Sequence, residues 1–324
     1  MTNALAAAET IRIGTSPVEQ PRLAFGGSWF VPYASASEED AHLVGAMQAA
    51  FDGGIRHFDT GASYGQGHSE ELYGQFIADK RDAVFIASKF DPPESTADAM
   101  YAAVKGSLQR LGIERIDLYY IHWPRTGRDM RPVMEGLERA RAEGLIGAVG
   151  VSNFSVKEME QVAEVGRIDA HQLGYNLIWR YAEEDVIPYC IANDIKVVTY
   201  STMAHGILTG KFGRDPGLRE GDQRHRILPF RADIWPHVHE GVEKMKAIAV
   251  ETGRPLAHLA IRWTLAQPGI SSVIIGGRNA AQVGEVTGSI AGDVADEAIA
   301  RMTEISDEIV RHVPRADNLF GRVG

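Results

Sequence analysis

Cysteine is almost absent: the 324 residues contain one, Cys190. A single thiol closes no internal disulfide, and no Cys/His pattern has the spacing of a zinc site. Cys190 is expected to be a small buried core residue, and no metal is expected. Long apolar runs are missing, so no helix is expected to cross a bilayer. The opening MTNALAAAETIRIG is rich in alanine but has neither a basic lead nor a long apolar segment, so no secretory signal is expected. Positive charge is not in excess either. The formal net charge is -10, which argues against nucleic acid as a partner, because that needs a basic face. A small anionic ligand held by a few local cations and N–H groups is still compatible with it. Linkers, low-complexity tracts and charge blocks are lacking, so residues 1–324 are expected to form one domain. The default expectation is a soluble, cytoplasmic monomer.

What is present suits a folded core: 44% of residues are hydrophobic and 23% charged. Eight short β-rich runs recur along the chain: LAFGG, HFDTG, VFIASKF, DLYYIHW, GAVGVSN, AHQLGYN, IKVVTYS and SSVIIGG. Between them lie stretches such as AHLVGAMQAAFDGG and MYAAVKGSLQRLGI, whose apolar residues fall at helical spacing and which end in glycine. Strand, helix, strand with right-handed crossovers builds a parallel sheet. Eight such units fit an α/β chain closed as a (β/α)8 TIM barrel better than an open sheet. One interval breaks the rhythm. The stretch GKFGRDPGLREGDQRHRILPFRADIW, around residues 211–240, makes the connection after the seventh strand too long for an ordinary loop. It is expected to lie over the barrel mouth, where a lid or a plain surface loop would both fit.

Barrel chemistry sits at the C-terminal ends of strands. Those ends carry Gly26 and Gly27, then Asp59, Lys89, His122, Ser152 with Asn153, Gln172, Tyr200 with Ser201, and Gly276, Gly277 and Arg278. Polar groups recur where a core prefers Val or Leu. A loop of Gly and Ser after Asp59 brings Tyr64. If these converge, Asp59 keeps Lys89 charged and placed. The ammonium favours the phenolate of Tyr64 and lowers its pKa from about 10. Tyr64 then exchanges a proton with a carbonyl oxygen, and His122 orients that oxygen. GHSEELYG is expected to open a helix, with Ser69 capping and Glu70 and Glu71 in its first turn. Trp29 and Trp123 follow strand ends and are candidates for a substrate pocket wall. His171 is expected to be structural. His205, in the seventh loop, is expected to be only a loop residue, and His225, in the long connection, is left with either a solvated or a functional reading.

The ordered blocks GIRHFDTGASYGQGHSEELYG, FIASKF, RIDLYYIHWP, IGAVGVSNF, HQLGYN, TYSTMAHGILTGKF and SSVIIGGRNAAQVGEV resemble those of the aldo-keto reductases across nearly the whole chain. The resemblance implies a barrel enzyme that moves a hydride between a nicotinamide cofactor and a small-molecule carbonyl or alcohol. It implies the cofactor NADP(H), bound without a Rossmann domain; no G-x-G-x-x-G follows the first strand. It places Asp59, Tyr64, Lys89 and His122 on the catalytic tetrad. Ser152, Asn153 and Gln172 fall where the carboxamide is held, and Tyr200 where a ring stacks on the nicotinamide. Ser201, Gly206, Leu208 and Lys211 fall on the pyrophosphate side, with Met203, and with Gly27 and Ser28 at the first strand end, also on the cofactor. Gly277, Arg278 and Asn279 match a phosphate-wrapping turn, where Arg278 would fork onto a 2′-phosphate. Gln282 and Glu285 match the adenosine end. The chain departs from the family pattern at Val286, often Asn there, and at Thr202, often Pro. Two other readings stand beside this one. A regulatory subunit of the same fold would bind cofactor with little turnover. A metal-dependent hydrolase would need several His and carboxylates at strand ends, whereas only Asp59 and His122 qualify.

Overall fold

A computed structural model describes residues 10–26, 37–125, 127–277 and 279–316. The eight β-rich runs are the eight strands of a closed parallel barrel. In chain order these are β3 (Leu23–Gly26), β4 (His57–Asp59), β5 (Phe85–Phe90), β6 (Leu118–Ile121), β7 (Val149–Ser152), β8 (Ala170–Gly174), β9 (Lys196–Tyr200) and β10 (Ile270–Ile275). Each pairs with its sequence neighbour, and β10 closes the ring on β3. Helices cross between them: α1 (Ser37–Asp52), α2 (His68–Ile77), α3 (Ala97–Leu111), α4 (Arg131–Ala142), α5 (Val156–Ala163) and α6 (Val186–Ala192). After β9 come α7 (Trp235–Thr252) and α8 (Leu256–Ala266), and after β10 come α9 (Ala280–Thr287) and α10 (Asp296–Val310). Among the described residues no helix is long and apolar enough to cross a membrane.

The helix ends follow local chemistry. Thr96 caps α3 by accepting from the Ala99 N–H, and Gly112 ends it at φ 65. Ser155 and Glu158 form a reciprocal capping box at the start of α5. Side chains on alternate strand positions then divide into two cores. The inner one, with Ala24, Phe85, Leu118, Tyr120, Ala170 and Val198, fills the barrel. The larger outer one packs strands on helices.

A two-stranded hairpin precedes the barrel and had no signal in the sequence pattern. β1 (Thr10–Ile11) pairs antiparallel with β2 (Gln20–Pro21). Ile13, between them, is buried in the inner core, and Thr15 donates to the Gly147 carbonyl just before β7. The hairpin therefore stoppers the N-terminal end of the barrel. Arg22 follows it and binds three carbonyls beside the last strand: Ser271 at 3.1 Å, Leu265 at 2.8 Å and Ile270 at 2.5 Å.

Two histidines are locked into these cores as neutral rings. Burial, opposed in part by Asp59 and reinforced by Lys89, lowers the pKa of His57 to about 4. Burial alone lowers that of His171 to about 3. The unfolded chain takes up these protons near pH 6.5, but the folded one does not. Stability from both rings is therefore complete above about pH 6.5 and falls as the pH drops toward their folded values, by roughly 1.4 kcal/mol per ring per pH unit. Thermal melts should show a steep decline between about pH 6 and pH 4.5, less steep in His57→Asn. An equal slope in that variant would show that His57 is not titrating as described.

Candidate active site

The short strand β4 delivers Asp59 to the mouth, and β5 delivers Lys89 beside it. Both are buried, at 4% and 1% exposure. The Lys89 ammonium donates to Asp59 Oδ1 and to the Thr60 carbonyl, the latter at 2.9 Å. Gln172 on β8 donates from Nε2 to the other Asp59 oxygen at 2.8 Å. Burial pulls the Lys89 pKa down, but attraction to Asp59 and to Tyr64 outweighs it, so the pKa is raised overall and the group stays an ammonium.

Tyr64 completes the cluster from a loop. Gly65 and Gln66 both take φ 57, inside a short turn (Tyr64–Gly67) that folds the chain back over the mouth. This left-handed pair accounts for the glycine-rich loop. The Tyr64 ring centroid lies 5.2 Å from Lys89 Nζ. It meets the His122 ring edge-on, with centroids 5.7 Å apart and planes at 82°. Trp123 stands next to His122, 6.1 Å between centroids.

One local expectation is corrected here. Gly67, at φ 99, is the N-cap of α2, and Ser69 does not cap it. Ser69 faces inward and shares a 2.8 Å hydrogen bond with Thr60. Glu70, likewise buried, accepts from Ser88 at 2.5 Å and from Arg110 at 2.6 Å. The chain enters the helix through a glycine turn, which rotates these side chains onto the barrel. They brace the segments carrying Asp59 and Lys89.

Across the mouth, β7 and β9 end in strained backbone. Asn153 has φ 63 and Ser201 φ 55, conformations that cost of order 1–3 kcal/mol and gather at functional sites. Asn153 is held on three sides. Its Nδ2 donates to the His122 carbonyl at 3.2 Å and to Ser152 Oγ at 3.0 Å, and its Oδ1 accepts from the Tyr200 hydroxyl at 2.6 Å. Thr202 donates to the Ile274 carbonyl at 3.2 Å, linking this loop to β10.

These residues share one cavity of about 900 Å³. Asp59, Tyr64, His122 and Trp123 line it, with Lys89 bonded to Asp59 behind the wall. Ser152, Asn153, Gln172, Tyr200, Ser201 and Met203 continue it, and Gly206, Lys211, Gly277, Gln282 and Glu285 carry it further. Two expected contributors are not on the wall. The Leu208 side chain is buried in the outer core. Asn279 uses its Oδ1 to accept from the Gln282 N–H at 3.0 Å, capping α9. Gly27, Ser28, Trp29 and Arg278 lie outside the described residues. Sequence reasoning left out Thr209, Ile274, Ile275 and the triplet Asp222, Gln223 and Arg224, all of which line the cavity, and gave His205 no place in it. Nothing local marks that triplet. It arrives because the long connection packs on itself, Phe230 stacking on Trp235 at 5.3 Å and 8°, with Phe212 edge-on to both. Val286 gives the cavity wall an apolar side chain where the family pattern often has Asn.

Other candidates lie apart. His171 accepts from the Phe154 N–H at 3.2 Å. The Cys190 thiol is buried, and burial pushes its pKa up to about 12. His225 is exposed and bonded to the Arg219 carbonyl. No cluster of three metal-ligating side chains occurs among the described residues.

Residues 22–307 match the family model described as "Aldo/keto reductase family". The chain is 30% identical over 295 residues to Aldo-keto reductase YhdN of Bacillus subtilis, covering 86% of this chain and 89% of that protein. It is 26% identical over 330 residues to the NADH-specific methylglyoxal reductase of Escherichia coli, covering 93% and 99%. In three dimensions it is similar to the glycerol dehydrogenase AKR11B4 from Gluconobacter oxydans. There the TM-score is 0.86 and the identity 30%, over 95% of this chain and 97% of that one.

Proposed function

The chain belongs to the aldo/keto reductase family, and on that premise we propose that it is an NADP(H)-dependent oxidoreductase. Its substrate is a small carbonyl compound or the matching alcohol, and Tyr64 is its proton donor and acceptor. The observation that carries this reading is the buried Lys89–Asp59 pair held against the Tyr64 ring, with His122 edge-on.

The donor set around the cavity fits a nicotinamide dinucleotide. The nicotinamide would supply or receive the hydride. Ser152 and Asn153 offer polar groups to its carboxamide. Gln172 also lines the cavity, with its N–H directed to Asp59. The Tyr200 ring forms a flat wall, and Lys211 offers positive charge further along. Tyr64 protonates a carbonyl oxygen or takes the proton from an alcohol. Lys89 favours the phenolate by proximity, Asp59 keeps Lys89 charged, and His122 holds the reacting oxygen in line. Trp123 walls the substrate side.

The test is the absorbance of NADPH with purified protein and a panel of aldehydes, diketones and sugars, with NADH alongside. Oxidation of NADPH in preference to NADH is expected. Because one relative is named as NADH-specific, the cofactor choice needs its own variant. Arg278→Ala should lower the NADPH over NADH preference in kcat/KM by about 10- to 100-fold, the usual worth of a charge-assisted fork. An unchanged ratio would remove Arg278 from the 2′-phosphate. Tight NADPH binding with no turnover in either direction would favour a regulatory role.

A further inference from the structure

His205 stands in the cavity wall without a role in the reaction above. It lies on a segment forced into left-handed backbone: Ala204 has φ 47, His205 φ 55 and Gly206 φ 94. A side chain at Gly206 would crowd Lys211 Nζ, with a Cβ 3.0 Å away. His205, Gly206 and Lys211 all line the cavity. His205 Nε2 is 3.0 Å from the Ser201 hydroxyl. Ser201, its hydrogen-bond partner, Gly206, next to it in the chain, and Lys211, whose ammonium lies against Gly206, are among the residues that the family resemblance assigns to the pyrophosphate.

We infer that His205 is a pyrophosphate ligand that takes up a proton when the dinucleotide binds, so that cofactor affinity strengthens as pH falls. The inference rests on the dinucleotide reading of the cavity. In the free protein, burial and the nearby Arg224 guanidinium lower the pKa of His205 to about 4, so the ring enters the encounter neutral. Arg224 comes from the long connection and is held by Asp222, with bonds of 2.9 and 2.7 Å. Lys211 is on the ring's own segment. The helix packed beneath, α8, presents Ala257 to the cavity. Its titratable groups are bonded elsewhere, His258 to the Glu285 carbonyl and Arg262 to the Ile290 carbonyl. Beside Asp59, which Lys89 pairs, the charged groups that share the cavity with His205 are thus Lys211, the Asp222–Arg224 pair and the Glu285 carboxylate, and of these Arg224 is the one that lowers the ring's pKa.

A dianionic pyrophosphate reverses that balance. One negative charge at about 4 Å, in the effective dielectric of a protein surface, changes a protonation equilibrium by roughly a thousandfold. Two such charges, partly offset by Lys211 and Arg224, carry the ring from neutral to imidazolium near pH 7. The proton comes from the buffer. The bound-state pKa lies above the free one, so the added affinity is complete below the free value and is lost as pH rises through the bound value. Between the two, Kd weakens about tenfold per pH unit.

Calorimetry of ADP-ribose and NADPH binding in buffers of different ionisation enthalpy counts the protons. ADP-ribose carries the pyrophosphate without nicotinamide or 2′-phosphate. At about pH 7 the parent should take up close to one proton per ADP-ribose, and His205→Gln should take up none while binding several-fold more weakly. Equal proton counts in parent and variant would overturn the inference. So would a zero count in the parent, or a parent Kd that is flat between about pH 5 and pH 8; both of these need no variant. Binding without proton uptake leaves the dinucleotide reading standing. Failure of both ligands to bind brings down the two together.

Discussion

Tyr64→Phe should lose nearly all turnover and bind NADPH about as well as the parent. The substitution removes one oxygen and keeps the ring. The edge contact with His122 and the packing over Lys89 depend on the ring, so the mouth keeps its shape. Lys89 keeps Asp59 and the Thr60 carbonyl as partners. What disappears is the proton. Positioned acid catalysis is worth on the order of 10²–10⁴ in rate, and without it a carbonyl receiving hydride must find its proton in water. The loss should fall on kcat, with Kd for NADPH, followed by fluorescence, within about twofold of the parent. Near-normal kcat in this variant would take the proton away from Tyr64 and leave the mechanism without its donor.

Lys89→Met should damage activity and stability together. The ammonium is 1% exposed and faces a carboxylate that is 4% exposed. Its removal strands the Asp59 charge with only the Gln172 amide for support. Removing one partner of a buried pair typically costs about 3–5 kcal/mol. The double variant Lys89→Met/Asp59→Asn removes the stranded charge and should recover most of the lost melting temperature. It should not recover turnover, since Tyr64 still lacks its cation. Recovery of both would mean that the pair serves the fold alone. A single variant as stable as the parent would mean that Asp59 is less buried than described.

The barrel was legible because its information is local and repeated. Each strand is a short apolar run, several helices end in a glycine or begin at a capping side chain, and most strands carry a polar residue at or just after their C-terminal end. Asp59, Lys89, His122 and Gln172 are readable for this reason. The stopper hairpin was not, because two residues per strand show no periodicity and Ile13 gains meaning only inside a closed ring. Ser69 was read as a cap because its type and place before an acidic turn match one. Its actual partner, Thr60, is defined by how α2 packs. Asp222, Gln223 and Arg224 were missed because a packed aromatic cluster places them, and no spacing reports it. His205 reads from the sequence as a plain loop residue, since only the folded chain brings it into the cavity wall.

Arg22 has a consequence for how the chain reaches this state. It sits at the junction of β3 and β10, pairing partners in a ring whose two ends lie about 250 residues apart, as in Leu23 with Val273. Contacts that distant are slow to form, because a long loop must close before they reward the chain. During synthesis the first barrel strand waits with an open edge until nearly the whole sequence has been made. Arg22 meets its three carbonyls only then. A nascent chain that stops short of residue 270 has two unpaired edges and lacks two of the three carbonyls that hold Arg22, so completion of the ring is a late event in the life of the molecule.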